Sequence, residues 1–312
     1  MAGMTARPKR RWFQFSLRTL LVLMTIAGFG LGYIGYERRL AQQQQEIEAE
    51  LKTHGIQLTG SESRRPDWLK QILGDDSAGR SGFVLVGTRN ATTSETPEAI
   101  DEAVTQLKRL PNIFSLHFPD IRIDDEGLTH FRRLTQIKWV DLQETQITDR
   151  GLQELRELKS LKSLSLVATQ TSDAGLKEIS RHQDLEWLFL LGTQVTDAGI
   201  HELRPLQKLK WLQLSKTSVT DAGLKELQEF QSLERLDLGD TSITDAGLKE
   251  LRPLKKLTHL DLRRTKITDA GLRELENHSA LRCIDLYGNA VTFPGIWKLK
   301  KALPDAYVDH SL

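Results

Sequence analysis

The sequence predicts an α/β solenoid of repeated strand–turn–helix units, preceded by one transmembrane helix. Glycine recurs every 24 residues, at Gly127, Gly151, Gly175, Gly199, Gly223, Gly247, Gly271 and Gly295. The phrase around the central glycines is nearly constant, as in TSVTDAGLKEL and TSITDAGLKEL. A fixed period of this length is typical of stacked units that are each too small to bury a core alone.

Each unit contains an L-x-L segment that predicts a three-residue strand, because alternation with a period of two directs both apolar side chains inward. The eight predicted strands cover residues 116–118, 140–142, 164–166, 188–190, 212–214, 236–238, 260–262 and 284–286, and residues 83–86 form an earlier one. After the glycine, leucines recur at intervals of three, as at Leu248, Leu251 and Leu254, which indicates a helix. Successive strands must therefore run parallel.

The N-terminal segment differs in composition from the repeats. Basic residues are frequent in residues 1–18, and residues 19–36 are uncharged. As a helix, this stretch would span about 27 Å, close to the thickness of a bilayer core. The positive-inside rule predicts a single-pass inner-membrane protein with a cytoplasmic N-terminus and the solenoid on the periplasmic or extracellular side. A cleaved signal peptide is the alternative. Gly28 and Gly32 form a small-xxx-small pair that could support a homodimer.

Four regions follow from these patterns. Residues 1–18 are the basic cytoplasmic segment, 19–36 the transmembrane helix, 37–82 a stalk helix with the N-terminal cap region, and 83–312 the solenoid with its C-terminal cap. The stalk helix is polar, with Ile47 among its few apolar residues. In the last unit, Phe293 and Pro294 replace Asp-Ala, and no further repeat is predicted after it.

Composition and motifs argue against several classes of function. Lysine plus arginine is 43 and aspartate plus glutamate is 42, which disfavours nucleic-acid binding. The single cysteine, Cys283, excludes an internal disulfide and a cysteine metal cluster. No nucleophile–base motif, phosphate loop or zinc signature is present, and Asp237 with His259 is the nearest approach to an acid–base pair. We expect a protein that is not an enzyme and needs no cofactor or metal.

The constant residues of the repeat are interpreted as scaffold. Thr148 or Asp149, and the equivalent Thr244 or Asp245, fall where a helix N-cap belongs. The Ala-Gly pair is expected to let helix and sheet approach closely. The threonine column that includes Thr145 is expected to bond turn backbone groups and to form a ladder between units. His182 and His278 stand where most units have Leu or Phe, and we expect them to be core residues.

The pattern resembles the leucine-rich repeat family. It is similar to the bacterial 24-residue type with the phrase Thr-x-Ile-Thr-Asp-Ala-Gly-Leu and an N-terminal membrane anchor, related to the repeats beside F-box domains. No F-box, kinase or ligase segment accompanies the repeats here. The resemblance implies a curved solenoid with the parallel sheet on the concave face, helices on the convex face, and protein binding.

The partner site is predicted where the repeats differ, on the residues that flank the inward leucines. An aromatic centre and a charged C-terminal half give the candidate residues Trp139, Trp187, Phe189, Leu191, Trp211, Arg235, Asp237, His259, Asp261 and Arg263. Aromatic patches rimmed by charge are typical of binding hot spots. Three alternatives stay open: the side chains only pack sideways along the sheet, the tryptophans bind an envelope glycan, or the solenoid is a structural spacer.

Overall fold

The structure is a computed structural model that describes residues 123–310 and, before them, residues 39, 42–43, 45–47, 49, 57–58, 83–85, 105 and 115–117. The predicted cytoplasmic segment, the predicted span at 19–36 and the Gly28/Gly32 pair lie outside the described residues. Within the described part, no helix is both long and apolar enough to traverse a lipid bilayer.

The described strands form one sheet in chain order. They are β1 (Gln57–Leu58), β2 (Phe83–Leu85), β3 (Ser115–His117), β4 (Trp139–Asp141), β5 (Ser163–Ser165), β6 (Trp187–Phe189), β7 (Trp211–Gln213), β8 (Arg235–Asp237), β9 (His259–Asp261), β10 (Cys283–Asp285) and β11 (Tyr307–Asp309). β1 pairs antiparallel with β2, and β2 to β11 pair in parallel. The predicted parallel sheet is confirmed.

The repeat strands lie one residue earlier than predicted. β6, for example, covers Trp187–Phe189 rather than residues 188–190. The second leucine, Leu190, is fully buried, but the chain leaves the strand there and enters the turn. Both leucines of the L-x-L segment are therefore buried, but the hydrogen-bonded strand is centred on the first of them, Leu188. β11 is not predicted from the sequence, yet it extends the sheet by pairing with β10.

A short helical segment follows the strand in each unit of the well-described region. The α-helices are α1 (Asp125–Thr129), α2 (Asp173–Ile179), α3 (Asp197–Glu202), α4 (Asp221–Glu226), α5 (Asp245–Leu248), α6 (Asp269–Leu275) and α7 (Phe293–Ala302). 3₁₀-helices cover His130–Arg133, Gly151–Glu157, Leu227–Glu229 and Lys249–Leu251. Leucines three residues apart lie on one side of a 3₁₀-helix, which explains why the predicted helices are partly 3₁₀.

One apolar core runs between the sheet and the helical segments through all the described repeats. The chain divides into two compact units, and Ile47–Ser61 belongs with Arg80–Leu312 in the unit that contains the repeats. Ile47 is 1% exposed and is part of this core. The described residues between Arg39 and Ala49 are helical as predicted. The burial of Ile47 joins this helix to the core of the repeats, and the stalk assignment of residues 37–82 stays a prediction.

The aspartate that starts α1 to α6, and Asp149 at the equivalent position, join each unit to the next one. Asp197 Oδ1 accepts the backbone N–H of Thr220 at 2.7 Å, and Asp197 Oδ2 accepts the Thr220 hydroxyl at 2.7 Å. The same pair of bonds forms between Asp125 and Thr148, Asp149 and Ser172, Asp173 and Thr196, Asp221 and Thr244, Asp245 and Thr268, and Asp269 and Thr292. Hydrogen bonds to a carboxylate are stronger than neutral ones. We call these pairs the aspartate bridges.

The hydroxyl residue of every bridge except Thr148 is also the N-cap of its own helix. Thr220 Oγ1 accepts the backbone N–H of Ala222 at 3.3 Å. Of the two residues considered for the N-cap, the threonine therefore holds the position, and the aspartate serves the neighbouring unit instead. One threonine thus connects a carboxylate of the preceding unit to the first turn of its own helix.

The recurring glycine is explained by the same carboxylates. A Cβ on Gly271 would collide with Asp245 Oδ1 of the preceding unit. The equivalent collision would occur at Gly151, Gly175, Gly199, Gly223, Gly247 and Gly295. The expectation that this glycine lets helix and sheet approach each other is therefore corrected, since the close approach is between units.

The threonine column closes turns rather than forming a ladder. Thr145 Oγ1 donates to the carbonyl of Leu142 at 2.6 Å within the same unit. Five further members make this bond, namely Thr169, Thr193, Thr217, Thr241 and Thr265. The predicted contact between units is made only by Thr265, which donates to Asn289 Oδ1 at 2.8 Å. Among the described residues, the inter-unit ladder is supplied by the aspartate bridges.

Replacing Gly271 by Ala is expected to destabilise the protein by about 2–3 kcal/mol, because the Asp245 carboxylate must leave its two bonds to Thr268. In an Asp245→Ala background, the same change should cost less than about 1 kcal/mol. Denaturant unfolding of the natural protein, Gly271→Ala, Asp245→Ala and the double variant measures the coupling free energy between the two positions. Gly239→Ala is the control, because its Cβ would meet neighbouring atoms only at 3.4 Å or more. Additive effects of the two substitutions would contradict the explanation.

His182 is expected to destabilise the fold in acid. Its side chain is 6% exposed, and burial, aided by Lys159, lowers its pKa from 6.5 to about 4. The unfolded chain therefore binds the proton first as the pH falls, so stability decreases from about pH 6.5 down to pH 4. The loss approaches about 3 kcal/mol. His182→Leu, which restores the residue found at Leu158 and Leu206, should flatten this dependence.

Thermal unfolding between pH 4 and pH 7 measures the effect. His201→Gln is the matched control, because His201 is exposed. His278, whose pKa burial also lowers, leaves a residual slope in both variants. An unchanged slope in His182→Leu would refute the assignment. Both histidines are buried, at 6% and 4% exposed, which confirms the prediction that they are core residues.

Candidate functional site

The sheet presents one face away from the core, and its residues align in three columns. The first column contains Trp139, Ser163, Trp187, Trp211, Arg235, His259, Cys283 and Tyr307. The second contains Asp141, Ser165, Phe189, Gln213, Asp237, Asp261, Asp285 and Asp309. The third follows the strands with Gln143, Val167, Leu191, Ser215, Gly239, Arg263 and Tyr287. We call these columns the open face. Adjacent members of a column lie on neighbouring strands, which are about 4.8 Å apart in the direction of the hydrogen bonds.

Trp187, Phe189, Leu191 and Trp211 form the aromatic half of the open face. Trp187 and Trp211 are in register on neighbouring strands. The rings of Phe189 and Trp211 meet edge to face, with centroids 5.0 Å apart and an interplanar angle of 75°. All four side chains are half-buried. They pack sideways on one another and still retain surface that a partner could contact.

Cations lie over both tryptophans of this cluster. The Arg235 guanidinium is 4.9 Å from the centre of the Trp211 ring, and Lys210 Nζ is 5.9 Å from the Trp187 ring. Lys210 and Lys162 also bond Glu186, at 2.7 and 2.9 Å, and these bonds lower the pKa of Glu186. The aromatic half is therefore fixed at its edge by charges from four successive units.

Trp139 is separated from the aromatic half. It shares the column of Trp187, but Ser163 on β5 lies between the two tryptophans. The structure thus brings together four of the five predicted apolar residues and leaves Trp139 two strands away from Trp187. The small side chain of Ser163 therefore separates the two tryptophan side chains on the open face.

The acidic half consists of Asp237, Asp261, Asp285 and Asp309, which stand in register on four adjacent strands. Burial raises the pKa of Asp285, and the charges of Asp261 and Asp309 add to this effect. Like charges directly opposite each other in a sheet are destabilising. Part of the acidic half therefore depends on cations for its stability.

Arg263 supplies one such cation. Its guanidinium contacts Asp261 Oδ2 through Nη2 at 2.6 Å and Asp285 Oδ2 through Nε at 3.3 Å. The two carboxylates hold the pKa of Arg263 above its usual range, with the Asp261 hydrogen bond as the main cause. Arg263 therefore neutralises the centre of the column.

Asp309 belongs to the open face but is not among the predicted site residues, because β11 was not predicted. A signal was present, since Tyr307-Val308-Asp309 repeats the order of Cys283-Ile284-Asp285: an outward residue, an inward apolar residue and an aspartate. The repeat phrase that follows the strand in other units is absent there, which concealed the match.

Asp237 and His259 do not form an acid–base pair. The Asp237 carboxylate accepts from Gln213 Nε2 at 3.0 Å and from the Gly239 backbone N–H at 3.1 Å. His259 Nδ1 lies 2.8 Å from the Thr258 hydroxyl. Burial and then the charge of Arg235 lower the pKa of His259, which favours the neutral ring.

Reactive and metal-binding groups give little indication of chemistry at this face. Cys283 is half-buried, and burial raises the pKa of its thiol, which reduces the thiolate fraction. Within the part of the chain that the structure describes, no three His, Cys, Asp or Glu side chains are grouped to hold a metal ion. The absence of an enzymatic role, a cofactor and a metal stays a prediction.

The comparisons with known proteins agree with this architecture. A family model described as Leucine Rich repeat matches residues 231–251 and 254–275. The solved structure of an internalin, InlF of Listeria monocytogenes, is 17% identical over 70% of this chain and 70% of its own, with a TM-score of 0.53. Internalin C2 of the same organism is 25% identical over 70% of this chain and 83% of its own, with a TM-score of 0.50. The comparison with curated proteins gives no match.

The repeated unit, the parallel sheet and these similarities together define the fold. The chain has the fold of leucine-rich repeat proteins, a solenoid-like stack of strands and helical segments, and two of its repeats match the Leucine Rich repeat model. At 17% identity, the likeness to InlF concerns the fold alone.

Proposed function

We propose that this protein is a non-enzymatic, membrane-anchored scaffold that binds a protein partner through the open face. The carrying observation is the contact at the edge of the aromatic half, where Arg235 of β8 covers Trp211 of β7. Arg235 lies on the same strand as Asp237 of the acidic half. Aromatic side chains beside fixed charges provide both apolar contact area and orientation, as binding hot spots require. The constant residues of the repeat form the aspartate bridges and the core, so the columns of the open face are the positions left for recognition of a partner.

The proposed site contains the aromatic half, Arg235 and the charged residues Asp237, His259, Asp261 and Arg263, with Trp139 at its margin. Asp285 and Asp309 extend it toward the C-terminus. A partner that places apolar side chains on Trp187 and Trp211 would meet the carboxylate column next to them. We expect such a partner to carry basic residues beside its apolar contact, since complementary charge favours association and sets orientation.

The glycan hypothesis has weaker support from the geometry. Sugar rings stack on a free aromatic face, whereas Arg235 already occupies one face of Trp211 and Lys210 approaches Trp187. Asp237 and Asp261 could still accept hydroxyl hydrogen bonds. The structural-spacer hypothesis requires the aromatic side chains to be fully covered by their neighbours, and they are only half-buried.

Replacing Trp187 and Trp211 together by alanine is expected to abolish partner capture, because both anchors of the aromatic half are lost. Crosslinking in intact cells followed by mass spectrometry identifies the partners of the natural protein and of the variant. Lys249→Ala with Arg273→Ala is the control, since both side chains are exposed on the helical side. Circular dichroism checks the fold of each variant.

An unchanged partner set in the folded tryptophan variant would remove the site assignment. Capture of saccharides from the cell wall, with a change in tryptophan fluorescence and no protein partner, would favour the glycan alternative. Loss of partners in the control variant alone would move the site to the helical side.

The membrane placement is part of the proposal. Residues 19–36 are proposed to span the inner membrane once, with residues 1–18 in the cytoplasm and the repeats outside. Protease added to the outside of spheroplasts is therefore expected to digest the solenoid, while an N-terminal epitope tag stays protected. Digestion only after the membrane is permeabilised would contradict this topology, and release of the intact chain into the medium would indicate a cleaved signal peptide.

A further inference from the structure

The last helix, α7, presents aromatic and basic side chains to solvent. Phe293 is 75% exposed and Trp297 is 57% exposed. Residues four apart lie on one side of a helix, so Phe293, Trp297 and Lys301 form one row. Lys301 Nζ is 5.5 Å from the centre of the Trp297 ring. Lys298 and Lys300 are exposed on the same helix. We call these five residues the cap surface.

The preceding repeats provide an internal comparison for each position of the cap surface. The position of Phe293 is held by Asp125, Asp149, Asp173, Asp197, Asp221, Asp245 and Asp269. The position of Trp297 is held by a polar residue in all seven, half-buried in Thr129 and exposed in Gln153, Lys177, His201, Lys225, Lys249 and Arg273. The position of Lys298 is held by His130 in the first of these repeats and by glutamate in the other six, namely Glu154, Glu178, Glu202, Glu226, Glu250 and Glu274. The last unit has thus exchanged two acids for an aromatic residue and a lysine, and a polar residue for tryptophan.

The place of α7 at the end of the stack of repeats explains only part of these three replacements. The aspartate at the position of Phe293 bonds the following unit, and among the described residues no further helical unit follows α7 that it could bond. The aspartate is therefore dispensable in the last unit. Loss of the bond does not explain why a largely exposed phenylalanine replaces the aspartate, because terminal repeats normally present a polar outer surface. Exposed aromatic groups on such a surface indicate contact with a partner.

The charge of the cap surface restricts the kind of partner. α7 contains three lysines and no acidic residue. A second copy of the same surface would bring like charges together, which disfavours self-association. The occupant is therefore expected to be anionic and to accept aromatic side chains.

We infer that the cap surface binds an anionic lipid bilayer, with Phe293 and Trp297 inserted at the headgroup level and the lysines on lipid phosphates. Aromatic residues with flanking lysines are typical of helices that lie at membrane interfaces. Each lysine near an anionic surface strengthens binding roughly fivefold. The anchor predicted at residues 19–36 would hold the solenoid beside a bilayer, so that even weak docking would be effective. This inference does not depend on the open face.

The test uses the full-length chain in lipid nanodiscs, either phosphatidylcholine alone or phosphatidylcholine with phosphatidylglycerol. Hydrogen exchange is followed by mass spectrometry at the backbone amides of α7. We expect exchange there to be several-fold slower in the anionic discs, because docking suppresses opening of the helix. The protection should disappear in Phe293→Ala with Trp297→Ala, and also in Lys300→Glu with Lys301→Glu.

Arg273→Ala is the matched control, since it changes the position equivalent to Trp297 one repeat earlier and should leave the protection unchanged. Equal exchange of α7 in the two kinds of disc would overturn the inference. Protection that appears with soluble polyglutamate but not with phosphatidylglycerol would assign the surface to an acidic polypeptide instead. Protection that rises with protein concentration in both lipids would assign it to a second copy of the chain.

Discussion

The aspartate bridge is the interaction on which the rest of the repeat region depends. Each carboxylate accepts two hydrogen bonds from the next unit, and the hydroxyl that it binds caps the next helix, as Asp197 and Thr220 show. Stacking and helix formation are therefore coupled at one point. Because the bridge recurs without a shift along the described repeats, it fixes the spacing and register of successive units. The glycine that faces the carboxylate is a consequence of this geometry.

A constant register has two effects on the surfaces of the molecule. It aligns each residue of a strand with the residue 24 positions later, so that chemically similar side chains collect in columns on the open face. The residues that maintain this register are constant from unit to unit. Chemical variation is therefore confined to the columns of the open face and to the terminal units. The aromatic half, the acidic half and the cap surface all occupy positions that the bridge leaves free.

The open face and the cap surface differ in how their aromatic side chains are held. Phe189 and Trp211 are half-buried against each other and under Arg235, which fixes their orientation. Phe293 and Trp297 are largely exposed on a single helix. A preorganised cluster loses little conformational entropy on binding and suits a shaped protein partner. A row of exposed side chains on one helix suits a soft interface such as a lipid headgroup layer.

The sequence by itself determined the repeat unit, the parallel sheet, the buried leucines and most of the columns, because periodicity reports which side of each element faces the core. It left the helix cap open between a threonine and an aspartate. It placed the repeat strands one residue late, since burial and hydrogen bonding end at different residues, and it missed β11 because the repeat phrase does not follow that strand. Only the tertiary structure decided the partner of each aspartate, which lies 23 residues away, and the contact of Arg263 with two carboxylates. It also places Glu144, Ala168, Lys216, Asp240 and Arg264 at positive φ, where Gly192 and Gly288 occupy the equivalent turns. Side-chain partners and turn conformations of this kind arise when one unit stacks on the next, so the sequence pattern of a single unit does not predict them.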